Sequence, residues 1–209
     1  MTSSTSTVRL LRFTATQRVV HWLNALLFGA LIVTAVPLYF GSLGGVVLPR
    51  HLVEEIHLWC GLALPVPLLV SLLGPWGRAM RADLRRVSLW THDEIRWLLS
   101  AGRSSLSADK FNPGQKLNAI VVGATVVVML FSGVVLQWFE HFPLSWRVGA
   151  TFVHDLFSWI IVFVIVGHVA VALAHRDSLV SMVRGSVPRA WAERHARRWL
   201  AEEPPTAPQ

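Results

Sequence analysis

The chain has 209 residues, 53% of them apolar and 15% charged, too little charge to cover a soluble domain of this length. Its net charge of +7 is carried by basic residues that flank long apolar runs, which points to an anionic membrane surface rather than to nucleic acid. The one cysteine, Cys60 in an apolar run, excludes a disulfide framework and a thiolate metal site, and the lack of a Cys-x-x-Cys-His string excludes a covalent c-type haem.

A helix needs about 20 apolar residues to cross the hydrocarbon core. Four stretches qualify, at about 19–40, 57–76, 117–139 and 148–174. They predict an all-α integral membrane four-helix bundle, a single domain over 1–201. The first run is too long for a signal-peptide core and reads as a retained helix. An apolar loop follows it at 41–48. In the long loop between the second and third spans, Thr91 and Glu94 have capping-box spacing ahead of Ile95, Trp97, Leu98 and Leu99, so a short amphipathic helix on the membrane surface is expected there. Residues 102–107 read as a flexible stretch. A C-terminal helix is expected in the tail, and 202–209, polar and Pro-rich, as a disordered end.

The basic residues set orientation. They gather in the N-terminal segment, the long middle loop and the tail; only Arg50 and Arg147 of the 19 lie elsewhere. By the positive-inside rule both termini and the middle loop are expected in the cytoplasm.

Ionisable groups within spans are costly and mark function. Four of the nine histidines lie in or beside spans: His21, His57, His154 and His168. His154 and His168 are 14 residues apart, which on one helix returns them to within about 40° of the same face and separates them by about 21 Å. With the expected topology, His21 lies at the inner level with His168, and His57 at the outer level with His154. Paired imidazoles on facing helices hold a haem iron from both sides. Two such pairs, one above the other, predict two haems at two depths. The separation argues against one metal ion shared by all four. A histidine proton path in a haem-free anchor or transporter is the competing reading, but it has no need of the same-face spacing. His175, seven residues past His168, is an alternative inner ligand ranked lower because it opens the charged tail. Gly61, four residues past His57, would give room for a flat macrocycle or close helix packing.

Three further stretches carry a family resemblance: Phe13 to Trp22 with Arg18 and His21; Lys110-Phe111-Asn112-Pro113-Gly114-Gln115-Lys116; and Val183-Arg184-Gly185-Ser186-Val187 leading to Arg189, Trp191, Ala192, His195, Arg198 and Trp199. Over residues 9–201 the chain resembles the cytochrome b (gamma) subunit of respiratory membrane-bound formate dehydrogenases, within the bacterial dihaem four-helix cytochromes b. The resemblance implies that His21, His57, His154 and His168 are the axial ligands of two b haems. It implies that Asn112 and Gly114, with Gln115 beside them, form a quinone site for menaquinone or ubiquinone. Pro113 stands where relatives often have a small residue. The implied partners are an iron–sulfur beta subunit and a molybdenum or tungsten catalytic alpha subunit, in a complex open to higher oligomers. The histidine pattern is shared with hydrogenase and thiosulfate reductase cytochromes, which are the alternative assignment. In each case the resemblance implies an electron-transfer and quinone-reducing subunit of the inner membrane, without formate chemistry of its own.

Overall fold

The computed structural model describes residues 8–41, 48–104, 106 and 108–202. Four helical crossings form the body. Helix α1 (Ala15–Tyr39) starts at a capping box, in which Thr14 Oγ1 accepts from the Gln17 N–H and the Gln17 side chain accepts from the Thr14 N–H. Helices α2 (Arg50–Ala63) and α3 (Val66–Ser71) form one crossing. Its interruption at Leu64–Pro65 follows from proline, which has no N–H to continue the ladder. After it come α4 (Arg78–Ser88) and α5 (His92–Leu99), then the long helices α6 (Pro113–Gln137) and α7 (Leu144–Ala174). Helix α1 packs on α2 and α3, α6 packs on α7, and α2 joins the two pairs through α6. All four crossings are long and apolar enough to span a membrane.

The helices begin ahead of the apolar runs. The second starts at Arg50, seven residues before His57, and ends at Ser71, short of Trp76. Hydropathy marks where charge stops, whereas helical hydrogen bonding starts at a cap and tolerates charge in the first turns. In α2 those turns carry Arg50, whose Nε donates to Glu54 Oε1 at 2.8 Å one turn on. His57 therefore sits in the interior of a helix and not at its start.

Packing is inverted relative to a soluble protein. Within the bundle, large apolar residues such as Leu26, Val33, Phe131, Phe152 and Phe163 are exposed, as lipid-facing surfaces require. The one buried apolar cluster, among the described residues, lies outside the spans: Leu10, Val187, Trp191, Ala192, Ala196 and Trp199. It forms a cap at one end of the bundle. Strand β1 (Arg9–Leu11) pairs antiparallel with β2 (Ser186–Pro188), Leu10 opposite Val187. Helix α8 (Arg176–Arg184) leads into β2, and α9 (Arg189–His195) and α10 (Arg197–Glu202) follow it. Neither this strand pair nor α4 was expected from the sequence, since three-residue strands and a polar helix leave no hydropathy signal. The expected C-terminal helix is present as α9 and α10. Glu202, expected in the disordered end, closes α10 and pairs with Arg86 at 2.8 Å. Residues 203–209, most of the 41–48 loop, and Ser105 and Ser107 of the expected flexible stretch lie outside the described residues.

The expected helix after Thr91 is α5, with its capping box formed. It is bolted down by charge. Glu94 is fully buried and accepts from Lys116 Nζ (2.8 Å) on α6 and from Arg198 (3.1 Å) on α10. Close by, Asp83 of α4 accepts from Lys110 Nζ at 2.6 Å and from the Gln17 amide of α1. These bonds join the N-terminal segment, the middle loop and the tail into one layer.

Candidate functional site

The three stretches that carry the resemblance meet in this layer. Arg12 donates to the Lys110 carbonyl at 3.0 Å, and the Phe13 and Phe111 rings lie 6.2 Å apart. Arg18 donates to the Val183 carbonyl, and Trp22 to that of Met182. Gly185 ends α8 at a φ of 84°, and a Cβ there would lie 2.7 Å from the Phe13 carbonyl. Its own carbonyl accepts from the Arg12 and Phe13 N–H groups. A residue with φ > 0 and no room for a side chain has to be glycine. The layer thus fixes how α1 enters the bundle, two turns before His21.

The histidines face one another in the pairs expected from their depth. The His21 and His168 rings lie 6.2 Å apart, centroid to centroid, on α1 and α7. The His57 and His154 rings lie 6.4 Å apart on α2 and α7. The former pair is at the cap end and the latter toward the other end. His175 lies at the joint between α7 and α8, exposed, with Nδ1 2.9 Å from the Val171 carbonyl. His168, not His175, is the residue that faces His21.

A metal–imidazole bond is about 2.0 Å, and the ring centre lies about one C–N bond beyond the nitrogen. Two imidazoles sharing one metal therefore stand with centroids roughly 6 to 6.6 Å apart. Both observed separations fall in that interval, so each pair suits one iron and each is too far from the other to share it. No group of three or more His, Cys, Asp or Glu with metal-holding geometry occurs among the described residues. The donor set is therefore right for axial ligation of haem and wrong for a bare structural ion.

Two hydroxyls escaped the sequence reading. Thr34 Oγ1 of α1 is 2.8 Å from His57 Nδ1, and Ser132 Oγ of α6 is 3.0 Å from His154 Nδ1. Both are buried. A lone Ser or Thr in an apolar span looks like any helix-packing residue, and only the fold brings it to a ring. Gly133 borders the same ring: a Cβ there would lie 3.4 Å from His154 Cε1. Gly61 instead faces Leu31 of α1 at 3.8 Å, which is helix packing.

Asn112, Gly114 and Gln115 open α6 at the cap end. Asn112 is its N-cap; its side-chain oxygen accepts from the Gln115 N–H at 2.9 Å, and Gln115 Oε1 accepts from the Asn112 N–H at 3.1 Å. This capping box was legible in the Asn-x-x-Gln spacing but was not singled out. It occupies both side-chain oxygens and leaves both amide NH2 groups as donors. The Gly114 N–H, in the first turn, has no acceptor within the helix, and Pro113 has none to offer.

Four apolar crossings with stacked imidazole pairs define a membrane cytochrome b, a class of electron-transfer protein. The prokaryotic cytochrome b561 family model matches residues 12–185, and the chain belongs to that family. It therefore carries haem b in the inner membrane. The chain is 24% identical over 205 residues, 92% of each chain, to the formate dehydrogenase cytochrome b556(fdo) subunit of Escherichia coli K12. It is 24% identical to the formate dehydrogenase cytochrome b556 subunit of Haemophilus influenzae, covering 93% of this chain and 84% of the relative. The nitrate-inducible cytochrome b556(Fdn) subunit of Escherichia coli K12 is 29% identical over 119 residues, 52% of this chain and 55% of the relative.

Proposed function

We propose that the chain is the dihaem membrane subunit of a quinone-reducing formate dehydrogenase. The observation that supports this most directly is the pair of imidazole couples, 6.2 and 6.4 Å across, at opposite ends of one bundle. His57 and His154 would hold an outer haem, and His21 and His168 an inner one. Haem held at both levels would supply single-electron transfer between the two faces of the membrane. With an imidazole on either side of each site, a haem held there would have no position open for oxygen. Both termini and the middle loop face the cytoplasm, in keeping with the basic cap.

An iron–sulfur subunit delivers electrons at the outer side, fed by a molybdenum or tungsten subunit that oxidises formate. At the inner side the amide groups of Asn112 and Gln115 and the Gly114 N–H donate to the quinone carbonyls. Two electrons and two protons convert the quinone to quinol, and the protons come from the cytoplasm. Each charge moved fully across stores about 2.3 kcal/mol per 100 mV. The names of the relatives favour formate dehydrogenase over a hydrogenase or thiosulfate reductase as the partner.

The test is a reduced-minus-oxidised spectrum with pyridine haemochrome quantitation of the purified chain. Two haems b per chain are expected, falling to one in either His57→Ala or His168→Ala. A colourless protein after gentle extraction would sink the reading in favour of a haem-free anchor. Retention of both haems in either variant would show the ligand assignment to be wrong.

A further inference from the structure

We infer that Thr34 and Ser132 are positioning residues that lower the potential of the outer haem relative to the inner one. The inference rests on the dihaem reading above and adds to it an electronic asymmetry between the two ends of the bundle.

Each hydroxyl has one proton, and the geometry commits it. Thr34 Oγ1 donates to the Ala30 carbonyl at 2.7 Å, with the Leu31 carbonyl at 3.1 Å. Ser132 Oγ donates to the Val128 carbonyl at 2.8 Å, with that of Met129 at 3.2 Å. This is the back-bonding to the preceding turn open to Ser and Thr in helices. With the hydroxyl protons on the carbonyls, the lone pairs face the rings, and Nδ1 of His57 and of His154 supplies the protons of the 2.8 and 3.0 Å contacts. In that tautomer Nδ1 carries hydrogen and Nε2 is free to present its lone pair to a metal.

Neither hydroxyl stands on the helix of its ligand. Thr34 on α1 holds a ring of α2, and Ser132 on α6 holds a ring of α7. Helix α6 has no histidine, yet through Ser132 it orients one. The cap-end pair differs. Among the described residues His21 and His168 make no side-chain hydrogen bond, and His21 has the Trp22 ring edge-on at 5.4 Å. An imidazole that donates through Nδ1 is the more basic ligand. It favours ferric over ferrous iron and lowers the potential. Both ligands of the outer haem have this support and neither inner ligand does, so an electron entering at the outer end moves toward the more oxidising centre.

The experiment is a redox titration of the alpha band of the full chain, with haem counted in the same samples, for wild type, Thr34→Val, Ser132→Ala, their combination and Thr34→Ser. The expected result is two haems throughout. One midpoint rises in each single variant and rises further in the double, up to about tenfold in the oxidised-to-reduced ratio, or 59 mV for one electron. The second midpoint stays put, and Thr34→Ser restores the first. Low-temperature EPR of the ferric state should show a changed signal for one haem only. Two haems at unchanged midpoints in the double variant would overturn the inference while leaving the dihaem reading intact, as would a downward shift or a shift of the inner haem. Wild type with fewer than two haems would instead remove the reading beneath it. Ser132→Ala, a loss of one oxygen on a different helix, keeps the inference exposed should Thr34→Val fail to fold.

Discussion

Glu94 is 0% and its partner Lys116 1% exposed, so their ion pair exists without water to screen it. Burial alone would push the Glu94 carboxyl up. The hydrogen bonds from Lys116 Nζ and the Thr91 N–H, with the charges of Lys116 and Arg198, outweigh burial and hold it below the usual carboxylate range. Stability from this site is thus present above that range and drains away as pH falls through the lowered value. Asp83 has the opposite sign. Burial pushes it up despite Lys110, so its contribution is complete below the usual range and declines as pH rises through the raised value. Glu94→Gln is expected to flatten the acid limb of a stability-versus-pH curve, and Asp83→Asn the limb above it. Tryptophan fluorescence during chemical unfolding in detergent reads both, because Trp191 and Trp199 sit in the cap. An acid limb as steep in Glu94→Gln as in wild type would refute the assignment. Lys116→Met leaves a buried carboxylate with Arg198 as its remaining charged partner, and is expected to destabilise the cap by about 3 kcal/mol or more.

At the scale of elements, the tail is held by side chains rather than by its short helices. Helix α10 has six residues and α9 seven, too few to stand alone. Trp199, 2% exposed, packs in the cluster with Trp191 and Leu10. Trp199→Ala is expected to cost about 3 to 5 kcal/mol and to free the segment after β2. Limited proteolysis of the purified protein should then cut within 189–202 while the haem content stays unchanged. Uncut tail at a protease dose that leaves wild type intact would show that the cluster is not what holds it. Sequence reading found α5 through its capping box, because a cap is local chemistry. It missed α4 and β1–β2, because their reason for forming lies in partners about 20 to 180 residues away, such as Lys110 for Asp83 and Val187 for Leu10.

For the whole molecule, the β1–β2 pairing puts the N-terminal segment and the tail on one side of the bundle. The Arg86 and Arg198 bonds bring the middle loop to that same side. All three should therefore respond together in a topology experiment. Single cysteines placed at Val8, Arg103 and Ala201, with Cys60 replaced by serine, are expected to be shielded from an impermeant thiol reagent in spheroplasts. They should react once the membrane is opened. Labelling of all three from outside would reverse the orientation inferred from the basic residues and leave the fold untouched.

Sequence alone was enough for the number of crossings, the four in-span histidines and their expected pairing, because hydropathy, charge and helical periodicity are properties of single segments. His154 and His168 return to one face of α7 by helix geometry, whatever packs against them. Tertiary structure decided the rest. It turned the His168 ring toward His21 of α1 and ended α7 at His175. It made Thr34 and Ser132 neighbours of rings 22 and 23 residues away, and gathered three separate stretches into one cap. A contact between helices depends on crossing angle and rotation together. Neither is encoded in the pattern of any one helix, so these residues acquired a meaning only once the bundle had closed.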